Sequence, residues 1–158
     1  MKLFCPALLS GKFFPTKCAN RGVKGGQNVS PPLIWTEVPP GVKSFAVSVI
    51  DRHPAANNWV HWFVVGLPPI IRELNERASE IYTEMPEGCI ELRNSFGEQG
   101  WGGPQPPRGS GAHPYECTVY ALSASDLELG PFATLDECQA AIAPHLMTSA
   151  STIGYFEQ

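Results

Sequence analysis

The sequence has few charged residues and many residues that interrupt helices. Charged side chains make up 16% of its 158 residues, against about 25% in an ordinary globular chain. Sixteen prolines and 15 glycines argue against a helical bundle or coiled coil, because proline breaks helices and charges cover their outer faces. Since 43% of the residues are hydrophobic, disorder is excluded as well. The composition predicts one β-rich domain, residues 1–158, with long ordered loops.

Positive charge is scarce over the last third of the chain. The segment after Arg108 contains six acids and no Lys or Arg. Residues 1–70, by contrast, carry seven bases and only two acids. A net charge of −4 does not fit a nucleic-acid-binding protein. Two interpretations of the uneven distribution stay open: a solvated surface, or a basic patch that attracts small anions to a nearby site.

The chain also lacks the patterns of a metal site, a disulfide framework or a membrane span. Its five cysteines form no C-x-x-C pair, so neither a zinc site nor a set of disulfides is predicted. No apolar window reaches the length of a membrane span. The first ten residues are too interrupted, by Pro6, for a signal peptide. We therefore expect a cytoplasmic protein without metal or cofactor.

Hydrophobic patterns predict mainly strands. The predicted strands are 2–4 and 33–36, both expected at sheet edges, with 44–51, 59–67, 89–94 and 115–122. Helical spacing of apolar residues predicts a helix over 71–82, and Thr134 with Glu137 forms a capping box before a second helix that ends near Pro144. A further helical turn is expected through Leu146 and Met147. Strands precede the convincing helix without βαβ alternation, which favours a two-sheet antiparallel β-sandwich, Greek-key-like, with a short C-terminal helix.

Polar residues with chemical potential are concentrated at two strand ends and in one loop. Asp51 ends a strand, His53 follows it, and His61 lies within the next strand. The loop over 94–115 is too long and too rich in Gly and Pro for a simple hairpin. Glycine lets backbone N–H groups approach an anion, and His and Tyr supply donors. Taken alone, His61 is also consistent with a satisfied core histidine.

Three segments then carry a resemblance that covers nearly the whole chain. Residues 28–35 (Asn-Val-Ser-Pro-Pro-Leu-Ile-Trp), 60–65 (Val-His-Trp-Phe-Val-Val) and 102–115 (Gly-Gly-Pro-Gln-Pro-Pro, then Gly, Gly, His and Tyr) occur in this order. They resemble the N-x-S-P-P-L-x-W, V-H-W and G-G-P-x-P-P…G-x-H-R-Y segments of the phosphatidylethanolamine-binding protein family, in its bacterial and archaeal, Raf kinase inhibitor-like branch.

The resemblance implies an antiparallel β-sandwich with a small anion pocket and a helix near its mouth. The implied ligand-binding residues are Asp51, His61, Pro107, Gly109, His113 and Tyr115. His53 joins them where the family has a second acid, and Pro114 replaces an Arg. The implied ligands are phosphate-like or phosphoethanolamine-type groups, and the implied protein partner is a kinase or peptidase. A homodimer is left open, and no nucleic acid or transmembrane segment is implied.

Three functions remain open at this stage. The favoured one is a non-enzymatic binder of small phosphorylated or anionic ligands that regulates a protein partner. The alternatives are a kinase or peptidase inhibitor with a vestigial pocket, and a hydrolase or metal enzyme that uses the Asp and His residues. For the binder, we expect the Asp51 carboxylate to favour protonated imidazoles at His61 or His113, which would make the pocket electropositive.

Overall fold

The computed structural model describes residues 1–8, 10–79 and 84–158. Its strands and helix are β1 (Lys2–Phe4), β2 (Leu33–Thr36), β3 (Ser44–Asp51), β4 (Trp59–Leu67), β5 (Glu73–Leu74), β6 (Ile90–Glu91), β7 (His113–Leu122), α1 (Leu135–Ile142) and β8 (Leu146–Phe156). One antiparallel sheet has the order β1-β2-β5, and the other has the order β6-β4-β3-β7-β8. The predicted fold class, mainly β with two antiparallel sheets and a short helix, is confirmed.

The larger sheet is covered on both faces because its central strands alternate between two hydrophobic clusters. Phe45, Val47 and Val49 of β3 pack into the larger cluster, between the sheets, whereas Ala46 packs into the smaller cluster with Ile142 of α1. Every residue of β3 is buried. The site residues that lie on β3 and its neighbours are therefore fixed by the best-packed part of the fold.

Most predicted elements are confirmed, several with the predicted bounds. The strands predicted at 2–4, 33–36, 44–51 and 59–67 form over those residues, and β7 begins two residues earlier than predicted. The strand predicted over 89–94 is reduced to Ile90–Glu91. The capping box of α1 is present, with Thr134 Oγ1 accepting from the Glu137 N–H and Glu137 accepting from the Thr134 N–H. One position is wrong: β2 is the middle strand of its sheet and not an edge.

Two helical predictions are also wrong. Residues 71–79 form the short strand β5 and a turn, and the rest of that predicted helix lies outside the described residues. The helical turn expected through Leu146 and Met147 ends at His145, where the eleven-residue strand β8 begins. β8 pairs with β7 along its whole length, so the backbone hydrogen bonds of the sheet outweigh the weak local preference for a helix.

Within the described residues, no helix is long and apolar enough to cross a bilayer. The five cysteines are free thiols.

Candidate functional site

A cavity of about 760 Å³ lies at one end of the larger sheet, where β3 ends and β7 begins. Its lining combines buried polar side chains with apolar walls: Asp51, Ala55, Ala56, Asn57, Asn58, Trp59, His61, Ser95, Phe96, Gln105, Pro106, Pro107, His113 and Tyr115. Five of the seven predicted site residues are among them. His53 borders the cavity by stacking on His113, and Gly109 is absent from the lining.

Asp51 and His113 form a buried pair across neighbouring strands. His113 Nδ1 lies 2.6 Å from Asp51 Oδ2, and Asp51 Oδ1 accepts the His53 N–H at 2.8 Å. Both side chains are almost completely buried. The Asp51 charge is therefore compensated inside the protein by a donor on each carboxylate oxygen.

The second ring nitrogen of His113 is engaged by Ser110, which the sequence analysis did not select. Ser110 Oγ donates its one proton to the Pro107 carbonyl oxygen at 2.6 Å, so it can only accept from His113 Nε2, 3.0 Å away. A carboxylate likewise only accepts, so Nδ1 donates to Asp51. Each ring nitrogen of His113 therefore has a partner within the protein, Asp51 at Nδ1 and Ser110 at Nε2.

His61 reaches the cavity because β4 contains one extra residue. The register pairs Val49 with Trp62 but Ile50 with Val60, which leaves His61 unpaired in a β-bulge. A bulge turns the side chain out of strict alternation. The ring of His61 consequently packs on Tyr115, with centroids 5.0 Å apart, on the side to which the next residue, Trp62, also points.

The environment of His61 differs from the one we expected. Its Nδ1 lies 2.5 Å from the Gly102 carbonyl oxygen, which can only accept, so Nδ1 carries the proton. Burial lowers the pKa of His61 to about 4, and this outweighs the raising effects of Gly102 and Asp51. The expectation of a protonated His61 is therefore wrong: the ring is neutral, and its Nε2 is a hydrogen-bond acceptor.

Tyr115 supplies the unpartnered donor of the cavity. Its side chain is fully buried, and its hydroxyl has no hydrogen-bond partner among the described residues. Burial, followed by the nearby Asp51 carboxylate, raises the pKa of this hydroxyl far above its usual range. The Asp51 carboxylate interacts with this hydroxyl but not in the geometry of a regular hydrogen bond, so the protonated hydroxyl can still donate to a ligand.

Three glycine N–H groups of the cavity loop donate hydrogen bonds within the protein. Gly102 N–H bonds to the His61 carbonyl and Gly109 N–H to the Gln158 carbonyl, while Gly103 N–H bonds to Asn28 Oδ1 at 2.7 Å. Asn28 also donates to the Trp101 carbonyl, so this residue of the 28–35 segment holds the start of the loop. At these three glycines, the expected role as anion donors is replaced by a role in loop anchoring.

His53, which stands where the resemblance implies an acid, has a structural role here. Its ring stacks on His113 at 3.9 Å between centroids and an interplanar angle of 14°. Its Nδ1 accepts the Ala55 N–H and so caps the short helical turn at Pro54–Ala56. The His53 ring thus covers one face of the His113 ring.

The cavity mouth is aromatic and carries no cationic side chain. Trp59 and Phe96 are each more than a third exposed and meet edge to face at 5.3 Å. No Lys or Arg lines the cavity among the described residues. Arg52, close in sequence, is bound to Glu116 at 2.8 Å and to Asn58 at 2.7 Å. It therefore positions the rim, and the pocket is less electropositive than expected.

No group of three or more His, Cys, Asp and Glu side chains in the described part of the chain is arranged to hold a metal ion. The His53 and His113 rings meet face to face, and both nitrogens of His113 are already bonded. This geometry gives the metal-enzyme alternative no support.

The fold and the site together define a β-sandwich protein with a buried polar cavity at one end of its larger sheet. The family model described as phosphatidylethanolamine-binding protein matches residues 6–157, and the chain belongs to this family.

Helix α1 packs on the smaller cluster, and none of its residues lines the cavity.

The chain is similar to several bacterial relatives. It is 34% identical to YbhB of Escherichia coli (strain K12), with 99% of each chain covered. The crystal structure of E. coli YbcL, described as a new member of the mammalian PEBP family, superposes with a TM-score of 0.91 at 30% identity and covers 99% and 98% of the two chains. A homolog from Chlamydia trachomatis has a TM-score of 0.81 at 27% identity, with 99% and 97% covered.

Proposed function

We propose that the chain binds a small phosphate-like ligand in this cavity without catalysing a reaction, and that it regulates a protein partner, a kinase or a peptidase. One observation carries the ligand proposal: the Tyr115 hydroxyl is fully buried, faces the cavity and has no partner among the described residues. A buried donor without a partner is costly, and a ligand acceptor removes that cost.

The charge balance of the cavity supports the same ligand class. The Asp51 carboxylate is neutralised by His113 and by the His53 amide, so an incoming anion meets a compensated pair. The exposed aromatic mouth, Trp59 and Phe96, offers an apolar contact to a substituent on the ligand. Phosphoethanolamine, whose ammonium group can also donate to acceptors of the cavity, combines both features.

Thermal unfolding with added inorganic phosphate or phosphoethanolamine tests the proposal. A ligand that binds only the folded state stabilises it by about 2.7 kcal/mol at 100 times its Kd, which raises the Tm. Tyr115→Phe should shrink the shift, because it removes the free donor. His145→Ala is the control, since His145 is absent from the lining and the shift should be unchanged. No shift in the wild-type protein, or equal shifts in both variants, would contradict the proposal.

A second candidate, hydrolysis, is favoured by one arrangement. Ser110, His113 and Asp51 lie in the order of a serine-hydrolase triad, at 3.0 and 2.6 Å. However, Ser110 donates its proton to the Pro107 carbonyl and does not line the cavity, so it lacks the hydrogen bond of an activated nucleophile. Labelling of Ser110 by a fluorophosphonate, lost in Ser110→Ala, would establish this candidate, and no labelling would exclude it.

A further inference from the structure

Among the buried polar side chains of the cavity, Asp51, His61, His113 and Tyr115, the free groups are mostly acceptors. The donors of Ser95 and of the Asn57, Asn58 and Gln105 amides lie on its exposed rim. Tyr115 offers one unpartnered O–H. His61 lines the cavity, and because its ring proton is on the Nδ1 that faces the Gly102 carbonyl, its Nε2 is an acceptor. The Asp51 carboxylate, which also lines the cavity, keeps accepting capacity beyond its two internal bonds. Both ring nitrogens of His113 have a partner within the protein.

A ligand that fits such a cavity must both accept and donate. A fully deprotonated oxyanion satisfies Tyr115 but leaves the His61 lone pair without a donor. A ligand oxygen that carries a proton can donate to one of these acceptors. Sites built to hydrogen-bond a ligand O–H reject analogues that lack it, since the buried groups are then left unpaired.

We infer that the cavity selects a protonated oxyacid group, hydrogen phosphate in particular, over oxyanions that carry no proton. This inference rests on the proposed function and specifies its ligand class. A P–O–H donates to His61 Nε2, or to Asp51, while another phosphate oxygen accepts from Tyr115. A phosphodiester, such as the phosphate of a lipid headgroup, has no P–O–H and is disfavoured relative to free phosphate.

The protonation of His61 itself depends on the charged groups that face it. These are Asp51 on β3, which raises the pKa of His61, and His113 on β7, which lowers it. The effect of burial is larger than either. Tyr115 stays protonated and contributes no charge. The neutral tautomer of His61 is therefore set by burial and by the Gly102 carbonyl, and it is available as an acceptor near neutral pH.

Calorimetric titration of the full chain at pH 7.5 with four probes tests the inference. Inorganic phosphate carries a P–O–H at this pH, whereas sulfate, methyl phosphate and dimethyl phosphate do not. We expect phosphate to bind at least about tenfold more tightly than sulfate. Sulfate leaves the buried acceptor of His61 unpaired, and an unpaired buried acceptor reduces affinity by about that factor or more. Methyl phosphate should gain affinity relative to sulfate below pH 6, because its second pKa is about 6.

Dimethyl phosphate separates the two sources of phosphate. It represents a lipid headgroup and should bind no better than sulfate. Binding of dimethyl phosphate as tight as that of inorganic phosphate would overturn the inference and favour a headgroup ligand. Sulfate binding within about threefold of phosphate would overturn it as well. If none of the four probes binds, the proposed function itself fails, and the inference fails with it.

Two further measurements locate the selectivity. His61→Gln places an amide N–H at the acceptor position and should reduce the preference for phosphate over sulfate, whereas His145→Gln, the matched control away from the cavity, should preserve it. If His61→Gln does not fold, 15N NMR of the histidine rings in the wild-type protein with phosphate decides the point. We expect Nε2 of His61 to remain unprotonated in the complex, and a doubly protonated ring would overturn the inference.

Discussion

The two sides of the cavity hold a buried histidine each, and the two rings differ in their hydrogen-bond partners. On the β7 side, both nitrogens of His113 have a partner that can accept, Asp51 and Ser110. On the β4 side, His61 donates once, to the Gly102 carbonyl, and burial keeps it neutral. Burial alone therefore does not determine the charge of a histidine; the hydrogen-bond partners decide whether the cation is compensated.

The largest effect is expected from removing the carboxylate on the β7 side. Asp51→Ala leaves His113 without its counter-ion and should lower the free energy of unfolding by about 3–5 kcal/mol. Urea unfolding monitored by tryptophan fluorescence measures this change. Glu87→Gln, at an exposed position, is the control and should change stability by less than about 0.5 kcal/mol. A loss of less than about 0.5 kcal/mol for Asp51→Ala as well would show that the pair is not charged.

On the β4 side, low pH should reveal the stability cost of burying His61. The unfolded chain protonates His61 near its ordinary pKa of 6.5, while burial holds the folded-state pKa at about 4. Between these values the unfolded state binds more protons, so stability falls as the pH drops, by about 3 kcal/mol in total.

Urea unfolding at pH 7 and pH 4.5 for the wild-type protein and His61→Gln isolates this contribution. The variant should lose less stability over the interval than the wild-type protein. Identical pH dependence in the two proteins would mean that His61 takes up its proton in the folded state.

Ser110→Ala probes the second donor of His113. It leaves a buried, charged N–H without its acceptor, which should cost about 1–3 kcal/mol. Ser110→Thr retains a hydroxyl and should recover most of the loss. The 15N spectrum of the wild-type ring should show both nitrogens of His113 protonated at neutral pH, and a ring with one bare nitrogen would contradict the assignment.

The smallest effect is expected at His53, which covers His113 without bonding to it. His53→Ala removes the ring stack and the cap on Ala55, with an expected cost of about 1 kcal/mol. His53→Asn restores a capping side chain but no stacked ring, so the difference between the two variants in thermal unfolding separates the two contributions. Equal stability of wild type and His53→Ala would mean that neither contact contributes.

Apolar runs made the central strands predictable, since successive hydrophobic residues of β3 and β4 pack into clusters on opposite faces of one sheet. The strand β8 was not predictable in this way. Thr148, Ser149, Ser151 and Thr152 give no hydrophobic alternation, and the strand forms through backbone bonds to β7. The helix expected over 71–82 failed because Leu74 and Ala78, which are buried, owe their burial to a strand and a turn.

The identity of most cavity residues could be predicted, but not their chemistry. The motifs located Asp51, His61, His113 and Tyr115, which the structure brings together. The bulge at His61 leaves no mark in an apolar run, so its effect on the ring was invisible. Ser110 meets His113 only because the loop turns back through Gly109 and Gly111, both with positive φ. Protonation depends on burial and partners, which no spacing reveals.

The central location of β3 has a consequence for how the site moves. β3 lies between β4 and β7, and these three strands carry Asp51, His61 and Tyr115. The amide hydrogens of β3 lie between two paired strands, and we expect those in the middle of this strand to exchange with solvent only through global unfolding. A bound ligand should therefore slow exchange there by the same free energy that it adds to global stability, without a separate local opening. The strands that carry the cavity residues are thus part of the folding core. Ligand binding in the cavity should therefore be measurable as an increase in the stability of the whole sheet.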